Sequence, residues 1–201
     1  MTLWYLARAT GFVALIAFTA STALGALSAV SGGSGARALD NRYLRQMAHR
    51  SAAVTGLLML AVHVTLLVLD VFVNVSLTGA LIPFTAGYRP VALGLSSMAV
   101  YLFIVAAVSG AARGRLSTSA RAARTWRRVH VAAYVGWALS MGHGLLAGSD
   151  TGALWSSALY VACGSAVVAA VAIRLHALGD HRANPLVSAR TRALAAPRST
   201  P

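Results

Sequence analysis

Apolar residues along the chain run in long unbroken stretches, with neither the alternation of a half-buried strand nor the narrow stripe of a soluble helix. Five stretches, roughly residues 9–30, 52–70, 91–112, 129–147 and 153–173, are long enough to cross a hydrocarbon layer, which takes about 20 mostly apolar residues. They are rich in Ala, Val, Leu and Gly. Every backbone polar group in lipid must be satisfied within the segment, so helix is the predicted state. The expectation is an all-α integral membrane bundle of about five transmembrane helices. Trp4 and Tyr5 precede the first run as interfacial anchors would, and that run exceeds the 7–15 apolar residues of a secretory signal core. The segment 74–90 (NVSLTGALIPFTAGYRP) is too short and broken to span, and reads as an interfacial helix or partly buried loop. No internal repeat of fixed period and no glycine-rich phosphate loop stands out.

Composition sharpens this picture. Of the 201 residues, 58% are hydrophobic and 10% charged, against roughly 25% charged in a soluble domain. The 17 cationic residues are all Arg, opposed only by Asp40, Asp70, Asp150 and Asp180, for a net charge of +13. Such a balance would elsewhere point to nucleic acid. Here the Arg residues sit between the apolar runs, as in the cytoplasmic loops of a membrane protein, and no nucleic-acid partner is expected.

Arg residues crowd 35–50, 113–128 and the tail after 173, whereas 71–90 has only Arg89 and 148–152 none. This bias predicts a multi-pass plasma-membrane protein with its amino terminus outside and its carboxyl terminus cytoplasmic. Residues 1–175 form the membrane domain in this reading, and 176–201 a basic tail, Ala-, Arg- and Pro-rich and predicted to be disordered. Cys163 reads as a small apolar packing residue, since no Cys-x-x-Cys pair exists.

Four of the six histidines fall in two pairs. His49 and His63 are 14 apart on the second predicted span, and His130 and His143 are 13 apart on the fourth. Ionisable residues inside membrane helices point to function. Fourteen residues make nearly four turns, so His49 and His63 share a face about 21 Å apart along the axis. Spans two and four run in the same direction, so first pairs with first and second with second, at two depths. Two imidazoles from facing helices, with no carboxylate or thiolate nearby, suit low-spin haem iron rather than four-coordinate zinc. Polar packing and a proton relay stay open. The spacing of 13 fits less cleanly, leaving His130 and His143 about 140° apart on an ideal helix. Local winding at Gly136 and Gly142, or approach from different azimuths, would have to absorb this.

The stretches WYLARATG (4–11), HRSAAVTGLLMLAVHV (49–64), PFTAGYRPVALGL (83–95) and WRRVHVAAYVGWALSMGHGLLAGSDT (126–151) resemble the ferric reductase-like transmembrane family. That superfamily includes NADPH oxidases, ferric reductases and the haem-binding subunit of bacterial methionine sulfoxide repair. The resemblance covers about residues 4–175 and rests on histidine number, order and spacing. It implies two non-covalent b-type haems, the inner held by His49 and His130 and the outer by His63 and His143. The chain departs from the larger members in showing five spans where many have six and in lacking a flavin- and NAD(P)H-binding region. A separate flavoprotein or quinol donor is therefore expected, with an unidentified acceptor at the outer face. Arg50, Arg127 and Arg128 flank the inner ligands and suit haem propionates, or serve as topology charges. Arg8, Arg89 and Tyr88 are candidates at the outer end. Trp126, Trp137 and Trp155 read as packing or interface residues, Gly56, Gly136, Gly142 and Gly144 as sites of close helix approach, and His176 and His181 as solvated. Two other functions fit the same sequence, a haem-free scaffold or small transporter with proton-relay histidines, and a quinol-linked anchor for an extracytoplasmic oxidoreductase.

Overall fold

A computed structural model describes residues 2–28, 30, 36–71, 75–116 and 118–183. Four of the five apolar runs correspond to single long helices, the fourth is divided between two, and several helices outlast their runs. In chain order they are α1 (Thr2–Ser28), α2 (Ala36–Leu69), α3 (Leu77–Leu81), α4 (Pro90–Ala111), α5 (Arg113–Leu116), α6 (Ala120–His130), α7 (Ala132–Ala147) and α8 (Leu154–Ala183). No strand occurs among the described residues. α1, α2, α4 and α8 are each long and apolar enough to cross a membrane, and the architecture is an all-α membrane helical bundle.

The basic segments extend these helices instead of forming loops. α2 begins at Ala36, well before the apolar run, and carries Arg37, Arg42, Arg45 and Arg50. Arg, Ala, Leu, Met and Gln are strong helix formers, so nothing in ARALDNRYLRQM stops the helix. Its 34 residues span about 51 Å at 1.5 Å per residue, well beyond the ~30 Å hydrocarbon core. α8 likewise continues to Ala183, so the first residues of the expected tail, His176 included, are helical. Residues 184–201 lie outside the described residues.

The fourth expected span is divided. α7 has 16 residues, about 24 Å, and follows α6 through the single residue Val131. The hydrogen bonding barely lapses there. Val131 N–H reaches Arg127 O at 3.1 Å, and Tyr134 N–H reaches Val131 O at 3.0 Å, a bond over three residues. The segment 75–90 folds as a partly buried loop around α3. Val75 and Ala86 are buried with Leu93 of α4, and Ser97 donates to the Ala80 carbonyl at 2.7 Å. Phe84 takes a left-handed backbone (φ 66°), and its ring lies where a side chain on Gly94 would stand.

Packing organises the bundle as two antiparallel pairs. α1 lies along α2, and α4 lies along α7 and α6, with α8 against α1. Between the pairs, Phe18 of α1 stacks on Phe103 of α4 at 3.8 Å and 7°, in one cluster with Ala14 and Ala99. Phe103 is 85 residues beyond Phe18, and Ala99 is 85 beyond Ala14. The two pairs therefore meet through equivalent positions, an internal correspondence too degenerate in sequence to appear as a repeat.

Of the four glycines expected at close approaches, three sit at one. A Cβ on Gly56 would stand 2.9 Å from the Phe18 ring, on Gly136 3.2 Å from Leu102 Cβ, and on Gly144 2.8 Å from the Tyr160 hydroxyl. At Gly142 the nearest atom is 3.5 Å away, an ordinary contact. Cys163 is buried beside Leu15 and Tyr160.

Candidate functional site

The four intramembrane histidines come together as two pairs, in the combination their order along parallel helices implies. The His49 and His130 ring centres are 6.2 Å apart with planes at 71°, and those of His63 and His143 are 6.4 Å apart at 76°.

Each ring is held through Nδ1 by a main-chain carbonyl. On α1, Ser21 O lies 2.8 Å from His49 Nδ1 and Ala7 O lies 2.6 Å from His63 Nδ1. On α4, Ala106 O lies 3.1 Å from His130 Nδ1 and Ala92 O lies 2.9 Å from His143 Nδ1. A carbonyl only accepts, so Nδ1 carries a proton in all four rings, and a neutral ring then keeps its lone pair on Nε2. This tautomer is the one metal-bound imidazoles use, oriented by a carbonyl behind them. The four acceptors obey the internal correspondence, since Ala92 and Ala106 are 85 residues beyond Ala7 and Ser21.

The ring separation has a chemical meaning. Two imidazole nitrogens bound trans to one metal at about 2.0–2.1 Å, each about 1.1 Å from its ring centre, put the centres about 6.3 Å apart. The same separations also fall within the 4.5–7 Å range of edge-to-face ring contact, and both pairs share them. Among the described residues no three His, Cys, Asp or Glu side chains gather into a metal-binding group, and each pair brings together two imidazoles. A planar tetradentate macrocycle needs that number, and these residues fit a haem.

Space is present beside the rings. A cavity of about 560 Å³ is lined by His63 and His143 together with Phe18, Phe103, Arg8 and Tyr88. This is within the ~300–1,000 Å³ of small-molecule and cofactor sites. Arg8 forms an ion pair with Asp150 and lies 4.3 Å over the Trp4 ring, and all three residues line the cavity. Arg89 donates to the Leu146 carbonyl at 2.7 Å and lies 5.4 Å over Tyr88. Both arginines thus brace the end of the bundle where His63 and His143 lie. Asp150 is the Arg8 partner, and sequence distance hid the pairing.

The other pair carries additional polar contacts. Ser21 Oγ is 3.1 Å from His49 Nδ1, and Ser109 Oγ is 3.3 Å from His130 Nδ1. Trp126 stacks on the His130 ring at 5.2 Å and 17°, while its Nε1 donates to Ser109 O at 2.8 Å. Trp126 therefore packs a candidate ligand directly. Trp137 donates to Thr19 Oγ1 at 2.9 Å and ties α7 to α1, and Trp155 packs edge-on against Phe12. Arg50, Arg127 and Arg128 are exposed at this end of the bundle, and His176 is exposed on α8. The side chain of His181 lies outside the described residues.

Part of the rotation that the spacing of 13 lacks is supplied at Val131. Bringing His143 under His130 needs more rotation than 13 residues of α-helix supply. The three-residue bond from Tyr134 to Val131 winds that turn at about 120° per residue instead of 100°. The extra rotation carries the chain toward the missing fraction of the fourth turn. One adjustment therefore lies next to His130.

Comparison of the chain with protein-family models, curated proteins and solved structures found no match.

Proposed function

We propose that the chain is a transmembrane di-haem b-type cytochrome that carries single electrons between the two faces of the membrane. The observation that carries this reading is the state of the four imidazoles. All four have Nδ1 committed to a helix carbonyl, and the rings pair at 6.2 and 6.4 Å, close to the separation that two axial ligands impose. His49 with His130 would hold one haem, and His63 with His143 the other. Bound there, each haem would supply one-electron chemistry at a potential tuned by ligation, burial and local charge.

The chain's own contribution is to hold and orient the ligands and to keep water out. The Ser21, Ala7, Ala106 and Ala92 carbonyls fix the rings, and the stacked Phe18 and Phe103 fill the interval between the pairs. Arg50, Arg127 and Arg128 at one end, and Arg8 and Arg89 at the other, suit propionate carboxylates. Binding is non-covalent, since no Cys-x-x-Cys-His occurs.

The Arg distribution puts the His49–His130 pair on the cytoplasmic side and His63–His143 on the outer side, with the amino terminus outside and α6–α7 as the fifth crossing. On that orientation a flavoprotein or quinol would serve as donor and the acceptor would meet the outer face. Membership of the ferric reductase-like transmembrane family is part of the proposal and rests on histidine order and spacing. A proton relay has weaker support, because about 21 Å of helix separates the pairs and apolar rings occupy the interval.

The test is the haem content of the purified full-length protein by pyridine haemochrome. Two b-type haems per chain are expected; a folded protein without haem overturns the reading.

A further inference from the structure

The carbonyls that hold the four rings belong to residues inside regular helices, where each oxygen lies beneath the residue four positions on. The Cα–Cβ bond leans toward the helix amino terminus, so the side chain at i+4 covers the oxygen of residue i. A ring reaches that oxygen's second lone pair only where the i+4 side chain is missing or very small. The residues four after Ala7, Ser21 and Ala106 are Gly11, Gly25 and Gly110, and the residue four after Ala92 is Ser96. Each helix thus carries two small residues 14 apart, matching the spacing of its two acceptor carbonyls.

The space at these glycines is filled by the rings. A Cβ on Gly11 would stand 3.0 Å from His63 Cε1 and 3.0 Å from its Nδ1. On Gly25 it would stand 3.2 and 3.4 Å from the same atoms of His49, and on Gly110 3.3 Å from His130 Cε1. Alanine is the better helix former at an ordinary interior position. Glycine at these three positions therefore gives up helix propensity and yields a seat for an imidazole.

We infer that Gly11, Gly25 and Gly110 are positioning residues that seat His63, His49 and His130 on their carbonyls. The inference rests on the bis-imidazole reading for its consequence, since the seat fixes tautomer and ring tilt, and through them the electronic character of the ligand. A methyl group at Gly11 pushes the ring off Ala7, lengthens the 2.6 Å hydrogen bond and makes Nε2 a weaker electron donor. Destabilising the oxidised iron in this way raises the potential. The effect should be largest at Gly11 and smallest at Gly110, in the order of the distances. It should also be local, with Gly11 acting on the His63 site and Gly25 and Gly110 on the His49–His130 site.

The experiment compares Gly11→Ala, Gly25→Ala and Gly110→Ala in the full chain with Gly164→Ala on α8, where an added Cβ meets nothing within 4 Å. Redox titration and low-temperature EPR read each haem, and carbethoxylation mapped by mass spectrometry reads each histidine in haem-free protein. Expected are an upward shift in potential and a changed low-spin signal confined to the haem each glycine serves, with faster modification of the corresponding histidine. Gly164→Ala should match wild type in both. Gly110→Ala, with the mildest contact, supplies a foldable variant if Gly11→Ala does not assemble. Three glycine variants indistinguishable from Gly164→Ala would overturn the inference. A haem-free wild type would instead overturn the haem reading, leaving the seating to be decided by histidine reactivity alone.

Discussion

His63 donates its Nδ1 hydrogen to the carbonyl of Ala7 across 2.6 Å, joining residues 56 apart in sequence. Fourteen residues earlier on α2, His49 does the same to Ser21, fourteen residues later on α1. Two antiparallel helices with matched spacing thus hold two rings at two depths. α4 repeats the device for His130 and His143, and the turn at Val131 supplies part of the rotation that their shorter spacing lacks. The Nδ1 contact is what turns a buried histidine into a candidate ligand, because in a neutral ring it leaves the Nε2 lone pair available.

The serines beside one pair should separate the two sites. Ser21 and Ser109 add a hydroxyl near Nδ1 of His49 and His130, whereas the His63–His143 pair has no counterpart among the described contacts. A second acceptor increases the imidazolate character of the ligand, which favours oxidised iron. Ser21→Ala and Ser109→Ala should each raise the potential of the His49–His130 haem and leave the other unchanged. Redox titration followed optically reads this.

The Arg8–Asp150 pair closes the end of the bundle near His63 and His143. Its side chains are 23% and 24% exposed, between the surface and buried limits. Asp150→Asn should cost about 1–2 kcal/mol, more than an exposed pair and less than a buried one. Chemical denaturation in detergent measures it. Combining it with Arg8→Gln should cost less than the sum of the two changes, and additive effects would mean that the pair contributes nothing.

Gly56 sets the distance between α1 and α2. A methyl group there meets the Phe18 ring at 2.9 Å, so Gly56→Ala should destabilise by about 1–3 kcal/mol, the usual cost of overpacking. Phe18→Leu in the same chain should recover part of the loss. Thermal unfolding of both variants checks this.

The apolar runs made the helices legible, because composition alone dictates helix in lipid. Where those helices end was less legible. The segments around Arg42 and Arg45 look like loops on hydropathy, yet propensity carries α2 through them. His49 and His63 could be put on one face from their spacing. His130 and His143 could not, because the turn at Val131 depends on a hydrogen bond that no pattern announces. Gly11 and Gly25, 14 apart like the histidines they seat, did carry a signal. It gains meaning only once the carbonyls of Ala7 and Ser21 are known to be acceptors. Arg8 and Asp150 meet across 142 positions, and nothing local links them.

Orientation rests on charge and is checked by reporter fusion. A reporter after Pro201 should be cytoplasmic and one inserted beside Asp150 external. The opposite pattern would exchange the inner and outer sites.

The most direct measurement of the central claim is the grouping of single histidine variants by low-spin EPR and haem content. A low-spin b haem needs both axial imidazoles. His49→Ala and His130→Ala should each remove the same low-spin signal, and His63→Ala and His143→Ala the other, so that losses group across the bundle rather than along one helix. Loss grouped by helix, or a His143→Ala protein that keeps both low-spin haems, would contradict the pairing and with it the two-haem account.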